Sequence, residues 1–149
     1  MKRLHVSLAV SDLAKSRHFY AAMFGGEPTL EHEHYVQWVL DDPAVNFVIE
    51  DGNAEPGLTH LGIQAQDQDE FEQQVARANE TGADSIDQGD AHCCYARSTK
   101  NWTVDPDGIP WETFLTHERT SDFGMPFVGT VNEADDKPQM PATAHCGCC

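Results

Sequence analysis

Residues 4–10, LHVSLAV, and residues 59–65, THLGIQA, open two stretches of chain with the same order of patterns. In the first, Leu4, Val6, Leu8 and Val10 alternate with His5, Ser7 and Ala9, the period of a strand with two unlike faces. In the second, Leu61, Ile63 and Ala65 alternate with His60, Gly62 and Gln64. Each strand leads into a helical pattern and then three more strand-like runs. A βαβββ unit used twice is a strong constraint on the fold, because each copy has one helix to cover one face of its sheet. The uncovered faces are free to join around a cleft, and both histidines point away from the aliphatic, helix-packed side.

The first helix is expected from about Asp12 to Phe24, capped by Ser11 or Asp12 and ended by Gly25-Gly26. Strands follow at about 28–31, 35–40 and 45–50. The connector DGNAEPGL at 51–58 separates the copies. The second helix spans 67–82, with Asp67 and Glu70 as an Asp-x-x-Glu cap and Phe71, Val75 and Ala78 as its buried stripe. Strands are expected near 84–88, 95–104 and 110–115, with DPDG at 105–108 as a tight turn. The fold class is therefore α+β: one domain over 1–116, with modules at about 3–50 and 58–116. Residues 117–149 lack periodicity and read as a mostly irregular tail ending in HCGCC, with Phe123, Met125, Phe127 and Val128 available to pack on the body.

Composition bounds the function. Hydrophobic content of 40% is that of a globular chain. A formal charge of −16 opposes binding to nucleic acid or anionic membranes. No apolar run reaches the ~20 residues of a membrane span, and the N-terminus lacks the features of a secretory signal. The expectation is a cytoplasmic protein with reduced thiols. Its five cysteines are odd in number and clustered, unlike a disulfide framework.

Glu112, in PWETF, shares a strand face with Pro110 and Phe114. If the two sheets curl together, His5, His60 and Glu112 converge. Two imidazoles and one carboxylate on one side of a metal leave the opposite positions open. That set suits non-haem Fe(II) taking up dioxygen and substrate, and also accommodates Mn(II), Zn(II) or Ni(II). Counting along the repeat puts Asn46 at the matching position of the first copy, where a neutral amide is a poor fourth ligand; Glu50 is a lesser candidate.

These residues resemble the vicinal oxygen chelate superfamily of glyoxalases, extradiol dioxygenases and fosfomycin-resistance thiol transferases. LHVSLAVSDLAKSRHFYAAMFG is similar to its opening strand and helix, THLGIQ to its second-module strand, and DPDGIPWETF to its closing turn and ligand strand. The adjacent Cys93 and Cys94, before the final hairpin, resemble those of its carbon–arsenic lyases and cadmium-induced proteins, as does the Cys-rich end. The resemblance implies an Fe(II)-dependent dioxygenase, with dioxygen as co-substrate, that degrades trivalent organoarsenicals such as methylarsenite to inorganic arsenite. It implies His5, His60 and Glu112 as metal ligands and catalytic centre, Cys93 and Cys94 as substrate thiols, and a homodimer. Thiophilic arsenic is chemically apt for paired thiolates.

Simpler roles stand beside these. A lone strand histidine is most often structural, and a pair of cysteines can be one buried and one exposed thiol. His92 reads as a solvated loop residue with a chance to activate Cys93. Lys100 and Asn101 are weaker candidates for lining the site, and Tyr95 and Trp102 read equally as pocket walls or as ordinary strand packing. His145, Cys146, Cys148 and Cys149 form a soft-metal cluster that is not a zinc-finger pattern. The competing functions are sequestration of cadmium or arsenite without turnover, a thiol transferase, and a ring-cleaving dioxygenase.

Overall fold

The computed structural model describes residues 1–52, 54–93 and 96–119, with the side chains of 90–93, 96, 118 and 119 outside that description. The order is β1 (Arg3–Ala9), α1 (Leu13–Phe24), β2 (Leu30–His32), β3 (Tyr35–Asp41), β4 (Ala44–Glu50), β5 (Gly57–Ala65), α2 (Gln68–Glu80), β6 (Ser85–Cys93), β7 (Ala96–Val104) and β8 (Pro110–Arg119). This is βαβββ twice. The strands form one sheet in the order β2-β3-β4-β1-β5-β8-β7-β6. The separate sheets expected from the sequence are therefore one continuous sheet, because β1 and β5 pair antiparallel within the chain, Ser7 opposite His60 and His5 opposite Gly62. In each module the first strand also pairs parallel with the last, β1 with β4 and β5 with β8.

Local chemistry explains the helices. The Asp12 side chain accepts from the Lys15 N–H at 2.9 Å, and Gly25 closes α1 in the left-handed region at φ 69°. Asp67 does the same for α2, accepting from the Glu70 N–H at 2.9 Å. The Glu70 carboxylate reaches back to the Gln66 N–H at 3.1 Å. On the helix side of module one, Tyr20 and Phe24 pack against Trp38 and Phe47, with ring centroids 4.6 to 6.2 Å apart. Module two has a smaller cluster of Ala65, Phe71 and Leu115, with Val75 against it.

Three further expectations change. β6 runs through Cys93 where a strand of 84–88 was expected, so Cys93 and His92 belong to a strand and not to a loop. The extension is polar and passes through a left-handed Gly89 with a register shift, so alternation does not reveal it. β8 continues to Arg119, past the tail boundary at 116, because β7 pairs with it as far as Ala96 opposite Arg119. Finally, the polar side of β1 is the deeper one. His5, Ser7 and Ala9 are buried, whereas Leu4 is 44% exposed and Val6 and Leu8 are partly covered. The inner face of a single sheet holds polar residues closely enough to bury them. Cys94, Tyr95, Cys146, Cys148, Cys149 and the tail aromatics lie outside the described residues.

Candidate metal centre

His5 stands on β1, His60 on β5 and Glu112 on β8, three consecutive strands of the sheet. Their ligand atoms lie within 4.8 Å of one another. His5 Nε2 is 3.1 Å from His60 Nε2, and Glu112 Oε2 is 3.7 Å from the first and 3.6 Å from the second. Exposure is 1% for His5, 7% for His60 and 1% for Glu112.

Hydrogen bonds at the far side of each ring fix which nitrogen is bare. His5 Nδ1 is 3.0 Å from the Asn46 carbonyl, which only accepts, so Nδ1 carries the proton. The Thr59 hydroxyl donates to the Ser7 carbonyl at 2.9 Å, so at 3.2 Å it accepts from His60 Nδ1. Both Nε2 lone pairs are then directed at each other and at a carboxylate oxygen, an arrangement that asks for a cation. Donors about 2 to 2.2 Å from a shared divalent ion sit roughly 3 to 3.6 Å apart, close to the separations here. The residues fit a metal.

The electrostatics agree. Burial lowers the His5 pKa to about 4, against the pull of Glu112, so the ring is neutral and ligand-ready near neutrality. Burial pushes the Glu112 carboxyl up, but the Lys100 ammonium and the two imidazoles outweigh it and hold the group below the usual carboxylate range. Lys100 Nζ lies 2.7 Å from Glu112 Oε1.

Glycine makes the approach feasible. A Cβ on Gly62 would lie 2.4 Å from the Glu112 carbonyl oxygen, so β8 reaches this position only because residue 62 has no side chain. Aromatic rings wall the site, with Trp102 edge-on to His60 at 5.2 Å and Phe114 edge-on to His5 at 5.1 Å. The Trp102 indole N–H is anchored on Gln88 Oε1 at 2.9 Å.

Register corrects the expected counterpart of Glu112. Gly62 pairs with Glu112 as Ser7 pairs with Val48, so the matching position in module one is Val48 and not Asn46. Val48 has no ligand atom, and the Asn46 amide is engaged with Gln37 and Gln64. Glu50 lies beyond the cluster, 3.5 Å from Ser7 Oγ. Burial raises its pKa, against His60, the Ser7 hydroxyl and Lys100.

A family model described as the Glyoxalase/Bleomycin resistance protein/Dioxygenase superfamily matches residues 2–113. The chain belongs to that superfamily. A trivalent organoarsenical cleaving enzyme of Bacillus sp. (strain MD1) is 38% identical over 122 residues, 78% of this chain and 74% of the relative. The cadmium-induced protein CadI of Mycobacterium tuberculosis is 28% identical over 125 residues, 83% of this chain and 82% of that one. An extradiol ring-cleaving dioxygenase from B. fuscum superposes with a TM-score of 0.57 at 24% identity, over 79% of this chain and 33% of that longer one. At that identity the likeness speaks to the fold alone. The superfamily implies a metal, and among the described residues His5, His60 and Glu112 form a cluster that could hold one.

Among the described residues, the other candidates separate. Lys100 and Trp102 face the cluster. Asn101 lies on the opposite face of β7, accepting from Ser85 Oγ at 3.0 Å. Cys93 ends β6 opposite Ala96, six residues along β7 from Trp102, the cross-strand neighbour of Glu112. Thr59 and Gly62 were not singled out in the sequence, although each adjoins or follows His60 in THLGIQ; Lys100 was named there only as a weaker candidate for lining the site.

Proposed function

We propose that this chain is a non-haem Fe(II)-dependent dioxygenase that cleaves the carbon–arsenic bond of trivalent organoarsenicals such as methylarsenite, releasing inorganic arsenite. The observation that carries this is the buried triad, in which His5, His60 and Glu112 offer three donors from one side while module one supplies no fourth. The name of the Bacillus relative supports the substrate class, and the adjacent Cys93 and Cys94 supply a pair of thiols apt for a thiophilic trivalent arsenical.

His5, His60 and Glu112 would hold the iron, whose chemistry when bound is activation of dioxygen, the four-electron oxidant that leaves the arsenic as arsenite and the methyl carbon as formaldehyde. The chain's own contribution is binding and orientation. Nδ1 of each imidazole keeps its proton and donates it in a hydrogen bond to a fixed oxygen, so both Nε2 atoms stay available. Glu112 stays ionised, and Trp102 and Phe114 exclude water. Cys93 and Cys94 would exchange the two hydroxyls of methylarsenite for two As–S bonds, each thiol proton leaving with a hydroxide as water. The arsenic then keeps one carbon substituent to present to the metal.

Strand geometry sets a condition on this chemistry. Six residues of straight strand cover about 20 Å, so the thiols serve the centre only when the β6–β7 end folds over the inner face. The compartment that keeps such thiols reduced is the cytoplasm; among the described residues no helix is long and apolar enough to cross a membrane.

The test is anaerobic loading with Fe(II), addition of methylarsenite and then air, and arsenic speciation. Wild type releases inorganic arsenite; Cys93→Ser, Cys94→Ser and His60→Ala do not. A second function, sequestration of soft metal ions, is favoured by the cysteine pair and by the CadI relative's name. It predicts tight cadmium or arsenite binding without turnover, lost in the cysteine variants and unchanged in His60→Ala.

A further inference from the structure

Lys100 is 2% exposed, a rare state for a lysine, and its ammonium sits against one oxygen of the Glu112 carboxylate. The two oxygens have different surroundings. Oε1 is 2.7 Å from Lys100 Nζ and, among the described residues, has no hydrogen-bond partner apart from that ion pair. Oε2 is turned to the imidazoles, 3.6 and 3.7 Å from their Nε2 atoms. Lys100 comes from β7, the strand next to β8, and pairs with Phe114, two residues beyond Glu112. A carboxylate left alone beside a divalent ion is free to bind through one oxygen or two. Here the ammonium occupies the side from which a second oxygen would be offered.

We propose that Lys100 is a positioning residue that holds Glu112 as a one-oxygen metal ligand and so keeps one more coordination position open for exogenous ligands. Three protein donors, not four, then reach the ion. Val48 at the matching place in module one works in the same direction by offering nothing. Replacing the ammonium with an uncharged chain of similar length releases Oε1 to turn onto the metal and close that position. This role for Lys100 rests on the metal-binding part of the proposed function and is independent of the arsenical chemistry.

The test uses the full chain with zinc or cobalt and no arsenical. The antisymmetric and symmetric carboxylate stretches are widely split when one oxygen binds a metal and narrowly split when both do. The metal-loaded minus apo infrared difference spectrum reads this, with Glu112→Gln identifying the bands. Wild type is expected to show the wide splitting. Lys100→Met is expected to narrow it, and to weaken the visible absorption of the cobalt form as the coordination number rises. Zinc binding by wild type with the narrow splitting overturns the proposal without touching the metal site, and needs no variant that must fold. A wide splitting that persists in folded Lys100→Met also overturns it. Failure of wild type to bind zinc at all overturns both this role and the metal reading.

Discussion

Thr59 uses its hydroxyl proton on the Ser7 carbonyl and its lone pair on His60 Nδ1, so one side chain decides which nitrogen His60 offers. Thr59→Val removes that acceptor, and outer-shell losses of this kind cost about 10–100-fold in metal affinity. Competition titration with a zinc chelator checks it; unchanged affinity would mean that His60 is oriented by something else. The triad also sets a pH response in the metal-free protein. The folded His5 pKa of about 4 lies below its unfolded value of 6.5, so the unfolded chain binds the proton first. Stability is then complete above about 6.5 and falls as pH drops toward 4, by on the order of 3 kcal/mol from this group. Glu112, whose folded pKa is depressed, adds a loss as pH falls below its ordinary 4.5. Chemical denaturation of apo protein from pH 7.5 to 4 should give midpoints that decline monotonically, and His5→Asn should flatten the upper part. Both histidines and Glu112 were legible in the sequence because strand alternation places them on one face. The ion pair of Lys100 with Glu112 was not, because a lysine in a strand gives no sign of whether a buried carboxylate waits beside it.

At the scale of elements, the modules were readable wherever alternation and capping agreed, as in β1, β5 and both helices. They were less readable where pairing, not pattern, extends a strand. The far ends of β6 and β8 exist because β7 lies between them, and their polar sequences carry no period of their own. The Glu112 counterpart was misplaced by two residues for a related reason: parallel register between β1 and β4 is set across the sheet, not by counting along the chain. Gly62 is where element packing controls the site. Gly62→Ala forces β8 away from β5, at a cost of roughly 1–3 kcal/mol for overpacking. Thermal melts should show that loss together with weaker metal binding; a variant that melts and binds like wild type would contradict the close approach. The helix start offers an independent check, since Asp67→Ala should cost about 1 kcal/mol through loss of the α2 cap, with metal affinity unchanged.

Across the whole molecule, a single sheet carries both modules, and the β1–β5 pairing brings residues 55 positions apart to a 3.1 Å contact. All three donors belong to one chain. The net charge of −16 has a molecular consequence as well, because like charges repel in the folded state and salt screens them. Raising sodium chloride from low concentration should raise the melting temperature of apo protein; a flat response would mean that the acidic groups are too dispersed to matter. The central claim is that His5, His60 and Glu112 hold one divalent metal ion. Anomalous diffraction from a crystal grown with Fe(II) or Co(II) measures this directly. A single peak bounded by the two Nε2 atoms and Glu112 Oε2 is the predicted result, and saturating metal that leaves that position without a peak would contradict it.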